Sequence, residues 1–232
     1  MKSLTLEAFA VPITIMNLGE SSREMNKQLV KDLHEDMETN NKAPIRTGVH
    51  VWQSNFNLES RFESVKALQD TFFDLAEPTL RKAGFTGDLR EYLVCEDFWG
   101  NINESPFAFH TPHFHGCGYT VFSGVYYPSS GIDNGVNVSD TQNLDDIAQL
   151  KASSLPAPGD IVFMDPSINI KRQVYPLGEK LNRYPYYGLE ICLTPKEGTL
   201  VLFPHYVTHF VAPTEKFNFT RYSIPFSINL KR

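Results

Sequence analysis

The part of the chain after residue 100 consists of short β-rich runs separated by Gly and Pro turns, and this pattern constrains the fold most. The runs are, in chain order, YTVFSGVYY, DIVFM, GLEICLT, TLVLF and TRYSIPFSI. Each is rich in β-branched and aromatic residues, which strands favour. Many short strands with turn signals between them are typical of a sandwich or a barrel. The sequence therefore predicts a mainly β protein.

The first hundred residues add helical signals to this β pattern. Apolar residues at helical spacing predict an amphipathic helix over residues 22–39, and Ser21–Glu24 fits a capping box at its start. A second helical pattern runs from Phe62 to Leu75, and we expect Pro78 to end or kink it. The segment Glu91–Phe98 has the composition of a strand.

Length and organisation indicate one domain. A chain of 232 residues can form a single large β domain, and no internal repeat is evident. We predict one domain over residues 1–232, with a helical flank at about 1–90 and a β core at about 91–232. The segments 131–159 and 168–187 read as long loops, and loops of this length are often functional or else disordered. Tyr184, Tyr186 and Tyr187 in the second loop are either a substrate mouth or a packing patch.

Charge, hydropathy and cysteine content disfavour nucleic-acid-binding, membrane-spanning and disulfide-bonded classes of protein. The net charge of −6 disfavours general nucleic-acid binding by phosphate neutralisation. No apolar run reaches the ~18 residues of a membrane helix, and we interpret the N-terminal apolar patch as a strand and not as a signal peptide. Three cysteines, an odd number without paired spacing, favour reduced thiols and a cytoplasmic protein. Cys117 is either a small buried residue or a metal ligand.

Histidines are concentrated in the segment FHTPHFHG, which contains His110, His113 and His115. In an extended segment His113 and His115 point to the same face, roughly 7 Å apart along the strand. Two imidazoles on one face bind a metal if a third ligand arrives from elsewhere, and His209 in FPHYVTHF is a candidate. Imidazole suits Zn, Cu, Fe and Ni, so the ligands alone do not identify the metal. His110 and His205 are candidates for supporting groups beside the site.

A potential anion clamp follows the last of these histidines. Arg221 and Ser223 in TRYS share the parity of one strand face, so both can reach a single carboxylate. Arginine offers a carboxylate two parallel hydrogen bonds. A buried ion pair with another side chain is the alternative role for Arg221.

With this order of residues the chain resembles the 2-oxoglutarate and iron(II)-dependent oxygenases, which fold as a double-stranded β-helix, or jelly roll. The resemblance implies that His113, His115 and His209 hold iron(II) and that Arg221 and Ser223 bind 2-oxoglutarate. Tyr127 occupies the strand where related enzymes place a tyrosine against the co-substrate carboxylate, and core packing is its alternative role. The expected fold is thus a jelly roll with flanking N-terminal helices.

The chain also resembles a little-characterised family of oxygenases found in bacteria and phages, through an ordered set of motifs over residues 48–229. The matching segments are Gly48–Ser54 (one residue longer than in the family), Trp99-Gly100-Asn101, His113-Phe114-His115, Ser123–Tyr127, Asp165-Pro166, Phe203-Pro204, His209 and Arg221-x-Ser223. Each motif is weak alone, and the ordered set is fairly specific.

One position departs from the wider superfamily, because His115 stands where a carboxylate is usual. Three neutral histidines give an iron(II) site a charge near +2 in place of +1, which the 2-oxoglutarate dianion balances. We expect His115 to be the third ligand, since its strand parity matches that of His113. Asp165 is the alternative source of a negative charge, either as a metal ligand itself or as a carboxylate that hydrogen-bonds to a ligand.

The resemblance implies a dioxygenase that uses O2 and couples 2-oxoglutarate decarboxylation to hydroxylation of a C–H bond. The alternatives are a cupin-like three-histidine dioxygenase that needs no 2-oxo acid, and a non-catalytic jelly-roll binding module. The substrate, a small molecule or a protein side chain, is not determined by the sequence, because substrate contacts in this fold lie on variable loops. The sequence also leaves open a homodimer, whereas it disfavours membrane and nucleic-acid partners.

Overall fold

A computed structural model describes residues 11–39, 47–104, 106–115, 118–130, 148–152, 156–167, 190–214 and 220–232. In this part of the chain the strands, numbered β1 to β13, form two antiparallel sheets. The predicted mainly β architecture with helices in the N-terminal part is confirmed.

The larger sheet has seven strands and the smaller sheet has six. The larger sheet consists of β1 (Thr14–Asn17), β3 (Trp52–Gln53), β4 (Leu93–Glu96), β5 (Asn101–Asn103), β7 (Thr120–Ser129), β11 (Thr199–Pro204) and β13 (Arg221–Leu230). The smaller sheet consists of β2 (Gly48–Val49), β6 (Phe109–His113), β8 (Ala148–Ala152), β9 (Ile161–Met164), β10 (Glu190–Pro195) and β12 (His209–Val211). Their spatial orders are β1-β11-β7-β13-β5-β3, with β4 also paired to β13, and β2-β6-β12-β9-β10-β8.

The two sheets face each other across a shared apolar core. Val125 and Phe203 of the larger sheet belong to the same buried cluster as Ile161, Phe163 and Leu193 of the smaller sheet. Residues on one face of a strand alternate with residues on the other, so every second residue of β7 and β11 enters this core. The space between the sheets therefore collects side chains from both.

The opposite face of the larger sheet packs on two helices, α1 (Arg23–Thr39) and α2 (Glu63–Lys82). On β13, the apolar side chains of Ile224, Phe226 and Ile228 lie in the helix-side core. The intervening positions, Ser223 and Pro225 among them, line a cavity between the sheets. The alternation of β13 thus separates a structural face from a cavity face.

Three local predictions require correction. Ser21 does not cap α1: its hydroxyl donates to the Leu18 carbonyl oxygen at 2.9 Å, because the 3-10 turn Glu20–Ser22 precedes the helix. Of the two effects expected of Pro78, an end or a kink, the end is wrong: α2 continues to Lys82, and burial of Leu80 in the core offsets the backbone hydrogen bond that proline cannot make. The segment 131–159 is not wholly irregular, since β8 lies within it.

Other predictions fall on residues that are not described. Cys117, residues 168–187 and the three tyrosines in that segment lie outside the described residues.

The short helix α3 (Leu89–Tyr92) leads directly into β4, so the strand predicted for Glu91–Phe98 begins two residues later than expected. Among the described helices, none has the length and apolar character needed to cross a membrane.

Candidate metal and co-substrate site

Three histidines converge at one point: two belong to strands of the smaller sheet, and His115 lies two residues after the end of β6. His113 is the last residue of β6 and His209 the first of β12, and the two are partners in the antiparallel register. The ring centroid of His209 lies 4.4 Å from that of His113 and 4.9 Å from that of His115. One ring nitrogen of each residue lies within 4.8 Å of the others, and this is the group that could hold a metal ion in the described part of the chain.

The outer nitrogen of each ring is hydrogen-bonded. Nδ1 of His113 donates to the Thr111 carbonyl oxygen at 2.7 Å, and Nδ1 of His209 donates to the Val207 carbonyl oxygen at 3.0 Å. Nδ1 of His115 lies 2.9 Å from the Ser123 hydroxyl. Because a carbonyl accepts only from N–H, the first two rings carry their proton on Nδ1 and leave Nε2 with its lone pair. Hydrogen bonds of this kind orient and polarise metal-binding histidines.

Burial keeps all three imidazoles neutral. Burial, with a smaller contribution from His113, lowers the pKa of His209 to about 3. Burial also lowers the pKa of His113, against the opposing effect of the Thr111 carbonyl, and it moves the pKa of His115 well below the usual value. A neutral imidazole is the form that binds a metal. The cluster is therefore poised to accept a cation at neutral pH.

A cavity of about 570 Å³ extends from the triad between the two sheets, with Arg221 in its wall. This volume is within the range of small-molecule binding sites. Arg221, the first residue of β13, is only 1% exposed, and its Nη2 donates to the Tyr127 hydroxyl at 3.0 Å. Among the described residues no carboxylate lies within 4.0 Å of its guanidinium, and its Nε has no hydrogen-bond partner. Its alternative role as a buried ion-pair partner thus has no support within the described residues.

Ser223 lies on the same face of β13 as Arg221, as its parity predicts. Its side chain is buried, lines the cavity and accepts a long hydrogen bond from Asn101 Nδ2 at 3.4 Å. Tyr127 is fully buried, and burial raises the pKa of its hydroxyl although the Arg221 charge opposes the shift. The hydroxyl therefore stays protonated and available as a hydrogen-bond donor.

The segment Ser123–Tyr127 sends alternate side chains to the two faces of β7. Ser123 contacts His115, Val125 lines the cavity and Tyr127 contacts Arg221, so one strand face connects the triad to the arginine. Ser123 and Tyr127 are four residues apart, which corresponds to ~13 Å along a strand. The Ser-Gly-Val-Tyr-Tyr motif thus links both ends of the site.

The outward residues of the same segment anchor the strand to the helices. A Cβ atom on Gly124 would lie 2.1 Å from the Phe226 ring, so only glycine fits beneath that ring. The Tyr126 hydroxyl donates to Asn26 Oδ1 of α1 at 2.5 Å. This packing fixes β7 against α1 and β13.

Aromatic rings and further histidines surround the triad. The Trp99 ring is 5.3 Å from that of His115, and the Phe203 ring is 4.8 Å from that of His209. His205 Nδ1 donates to the His115 carbonyl oxygen at 3.1 Å, as suits a supporting residue. His110 lines the cavity, and burial, followed by the nearby Arg221 charge, lowers its pKa to about 3.

Asp165 lies immediately after β9, where its Oδ1 accepts a hydrogen bond from the Ser167 backbone N–H at 2.6 Å. It is not part of the cluster formed by His113, His115 and His209, and it does not line the cavity. The predicted site residues that the structure brings together are therefore the three histidines, Arg221, Ser223 and Tyr127.

Sequence reasoning assigned no role to Ser123, Gln53 and Asn101, all of which contact or line the site. Each of the three residues falls within one of the motifs that the chain shares with the oxygenase family. A motif does not show which way each of its side chains points. That direction follows from strand pairing, which is a tertiary property.

Two facing sheets that enclose a histidine triad and a buried arginine define a jelly-roll protein of the oxygenase type. The sequence model of the family described as "Putative 2OG-Fe(II) oxygenase" matches residues 97–227, more than half of the chain. The chain belongs to this family of iron(II)- and 2-oxoglutarate-dependent oxygenases and is an oxidoreductase. The family resemblance indicated by the motifs is confirmed.

Solved structures share this fold at low sequence identity. A prolyl-4-hydroxylase from Pseudomonas putida aligns with a TM-score of 0.55 and 14% identity, over 95% of this chain and 94% of that one. A prolyl hydroxylase from Trichoplax adhaerens, in complex with a hypoxia-inducible-factor peptide fragment, aligns with a TM-score of 0.54 and 15% identity, over 94% and 83%. HygX from Streptomyces hygroscopicus, with nickel and 2-oxoglutarate bound, aligns with a TM-score of 0.52 and 9% identity, over 94% and 83%.

These similarities establish the fold, and the predicted jelly roll is confirmed. No curated protein matches the chain by sequence.

Proposed function

We propose that the chain is an iron(II)- and 2-oxoglutarate-dependent dioxygenase that hydroxylates a C–H bond of its substrate. The balanced reaction consumes R–H, O2 and 2-oxoglutarate and yields R–OH, succinate and CO2. Bound iron(II) would supply the redox chemistry that couples O2 reduction to decarboxylation and substrate oxidation. The protein would hold the metal, position both substrates and exclude water.

His113, His115 and His209 are the proposed iron ligands. Their burial, their neutral state and their outer hydrogen bonds to Thr111, Val207 and Ser123 fit a metal that binds imidazole nitrogen. With these three residues holding it, a bound iron(II) would supply the redox chemistry that joins the 2-oxo acid to O2. This donor set is thus compatible with the proposed chemistry.

The buried charge of Arg221, which contacts the Tyr127 ring and has no carboxylate partner among the described residues, is the observation that carries the co-substrate assignment. A buried cation is costly unless an anion neutralises it. Arg221 is 1% exposed, lines the same cavity as the triad and has no carboxylate within 4.0 Å among the described residues. A carboxylate of 2-oxoglutarate supplies the missing negative charge and accepts the forked hydrogen bonds of the guanidinium.

Tyr127 and Ser223 complete the proposed carboxylate site. Tyr127 accepts a hydrogen bond from Arg221 and so has its own O–H free to donate to a ligand. Ser223 offers a hydroxyl from the same face of β13. The dianionic co-substrate also offsets the charge of iron(II) in a site of three neutral histidines. We therefore favour His115 over Asp165 as the third ligand.

The substrate is proposed to be a small molecule or a protein side chain. Both kinds occur among proteins of this fold, since HygX binds hygromycin B and the Trichoplax enzyme binds a peptide. We further propose that residues 1–232 form a single oxygenase domain, as a monomer or a homodimer. The odd number of cysteines favours a cytoplasmic location.

The test is an anaerobic titration of the purified chain with iron(II) and 2-oxoglutarate, followed by exposure to O2 and measurement of succinate. We expect one iron per chain, 2-oxoglutarate binding that depends on the metal, and slow uncoupled succinate release. Iron binding without any 2-oxoglutarate binding would support the three-histidine dioxygenase instead. Absence of metal binding would favour a non-catalytic module.

A further inference from the structure

Two amide side chains form a polar wall on the side of the cavity away from Tyr127. Gln53 of β3 and Asn101 of β5 are direct partners across the strands, and both line the cavity. Gln53 Oε1 and Asn101 Oδ1 are buried, and neither has a hydrogen-bond partner among the described residues. Asn101 is 4% exposed. Opposite residues on paired strands have Cβ atoms about 5 Å apart, so the two amides can contact one ligand together.

An unpartnered buried amide destabilises the folded chain, because its hydrogen bonds to water are lost without replacement. Because both residues line the same cavity, a ligand bound there can complete the hydrogen bonding of both oxygens. The unpartnered atom of each amide is its oxygen, an acceptor, and Asn101 Nδ2 already donates to Ser223 Oγ at 3.4 Å, so the complementary group must offer N–H donors. A carboxamide or a peptide group meets this requirement.

The amide wall adjoins the proposed co-substrate site through Asn101, whose Nδ2 donates to Ser223 Oγ at 3.4 Å, and extends away from that site through Gln53. Arg221 and Tyr127 lie on the neighbouring strands β13 and β7, whereas Gln53 lies on β3 at the edge of the sheet. With 2-oxoglutarate held between the triad and Arg221, the β5–β3 side of the cavity stays open for the molecule that is oxidised.

The charges of the lining favour a neutral group at this wall. Among the described residues that line the cavity, the only Asp, Glu, Lys or Arg side chains are Arg221 and Asp97. Arg221 is assigned to the co-substrate, and the Asp97 carboxylate accepts a hydrogen bond from Asn229 Nδ2 at 2.9 Å. Among these described residues no further cation remains to neutralise an anionic substrate at the amide wall, and a cationic substrate would share the cavity with the Arg221 charge.

Aromatic side chains also line the cavity. Phe56 and Trp99 both line the cavity and meet edge to face, with ring centroids 5.2 Å apart. Phe56 is 42% exposed, and the nearby lining residue Phe114 is 60% exposed. Exposed aromatic side chains at the entrance of a cavity contact the apolar part of a ligand.

We propose that Gln53 and Asn101 select an uncharged substrate that carries a carboxamide or peptide group next to an apolar or aromatic part. This inference deepens the proposed hydroxylase function and rests on it for the location of the co-substrate. The amide group binds across Gln53 and Asn101, and the apolar part packs against Phe56 and Trp99. A C–H bond near the amide is then directed toward the triad.

The test uses three probes of nearly identical shape: neutral benzamide, anionic benzoate and cationic benzamidine. Each is titrated at pH 8 into the anaerobic chain loaded with iron(II) and 2-oxoglutarate, with binding followed by ligand-observed NMR. Wild type should bind benzamide at least about tenfold more tightly than either charged probe. Gln53→Met should lose this preference, and Gln53→Glu should prefer benzamidine because its carboxylate accepts both N–H groups.

Gln28→Met, a matched change on the exposed surface of α1, is the control and should retain the wild-type order of affinities. The proposal is overturned if wild type binds benzoate or benzamidine as tightly as benzamide, or if Gln53→Met keeps the preference. Benzamide and benzamidine are also compared on the chain without metal or co-substrate. Failure of 2-oxoglutarate to bind would overturn the proposed function, while this second comparison still decides the role of the amide wall.

Discussion

Replacing Arg221 by alanine removes a buried cation from the wall of the cavity that extends from the histidine triad. The substitution deletes the Nη2 hydrogen bond to Tyr127 and a buried Nε that has no hydrogen-bond partner among the described residues. If 2-oxoglutarate binds here, its carboxylate loses a charged hydrogen bond worth about 1.5–3 kcal/mol, which raises Kd about 10- to 150-fold. Iron affinity should change little, because no histidine of the triad contacts Arg221.

Thermal unfolding in the presence of a redox-inert divalent metal measures this loss. At a 2-oxoglutarate concentration of about 100 times the wild-type Kd, binding stabilises the native chain by about 2.7 kcal/mol. For a chain of this size each kcal/mol moves Tm by about 2–4 °C, so wild type should gain about 5–11 °C. With Kd raised about 100-fold, Arg221→Ala should gain only about 0.4 kcal/mol, or about 1–2 °C.

Two further variants make the measurement specific. Arg221→Lys keeps the charge without the planar fork and should recover part of the shift. Arg90→Ala removes an exposed arginine that pairs with Asp70 and Asp74 and should keep the full shift. If 2-oxoglutarate raised the Tm of wild type and of Arg221→Ala equally, the assignment of Arg221 to the co-substrate would be refuted. If Arg221→Ala lowered the free energy of unfolding by about 3–5 kcal/mol in the absence of ligand, Arg221 would instead be part of a structural ion pair.

Two other predictions concern the histidines. His113→Ala and His209→Ala should each abolish stoichiometric iron binding, whereas Asp165→Asn should retain it. The measurement is the iron content of each variant after gel filtration. Loss of iron in Asp165→Asn would show that His115 does not suffice as the third ligand. Burial lowers the pKa of His209 to about 3 and also lowers the pKa values of His113 and His115. Between pH 7 and 5 these histidines therefore become protonated in the unfolded chain but stay neutral in the native one. The urea midpoint of the metal-free chain should therefore fall as pH is lowered across this window, with a smaller fall for His209→Ala, and a flat profile would contradict neutral buried rings.

The long elements and the order of the site residues follow from sequence alone. Strands β7, β11 and β13 carry enough β-branched and aromatic residues to be recognised, and α1 and α2 show helical spacing over many turns. The ordered set of histidines with the downstream Arg221 indicated the family. These signals are local or simply ordered along the chain, so no knowledge of contacts was needed.

Only the tertiary structure decided which side chains meet. Strands β3 and β5 have two and three residues, too few for a periodic pattern, and they exist because they pair with each other and β5 pairs with β13. The directions of Gln53 and Asn101, and the contact between Ser123 and His115, follow from that pairing. The lack of a carboxylate beside Arg221 in the described chain is equally invisible in the sequence. A charge is compensated or left for a ligand according to which residues lie within a few ångströms of it, and those neighbours come from distant parts of the chain.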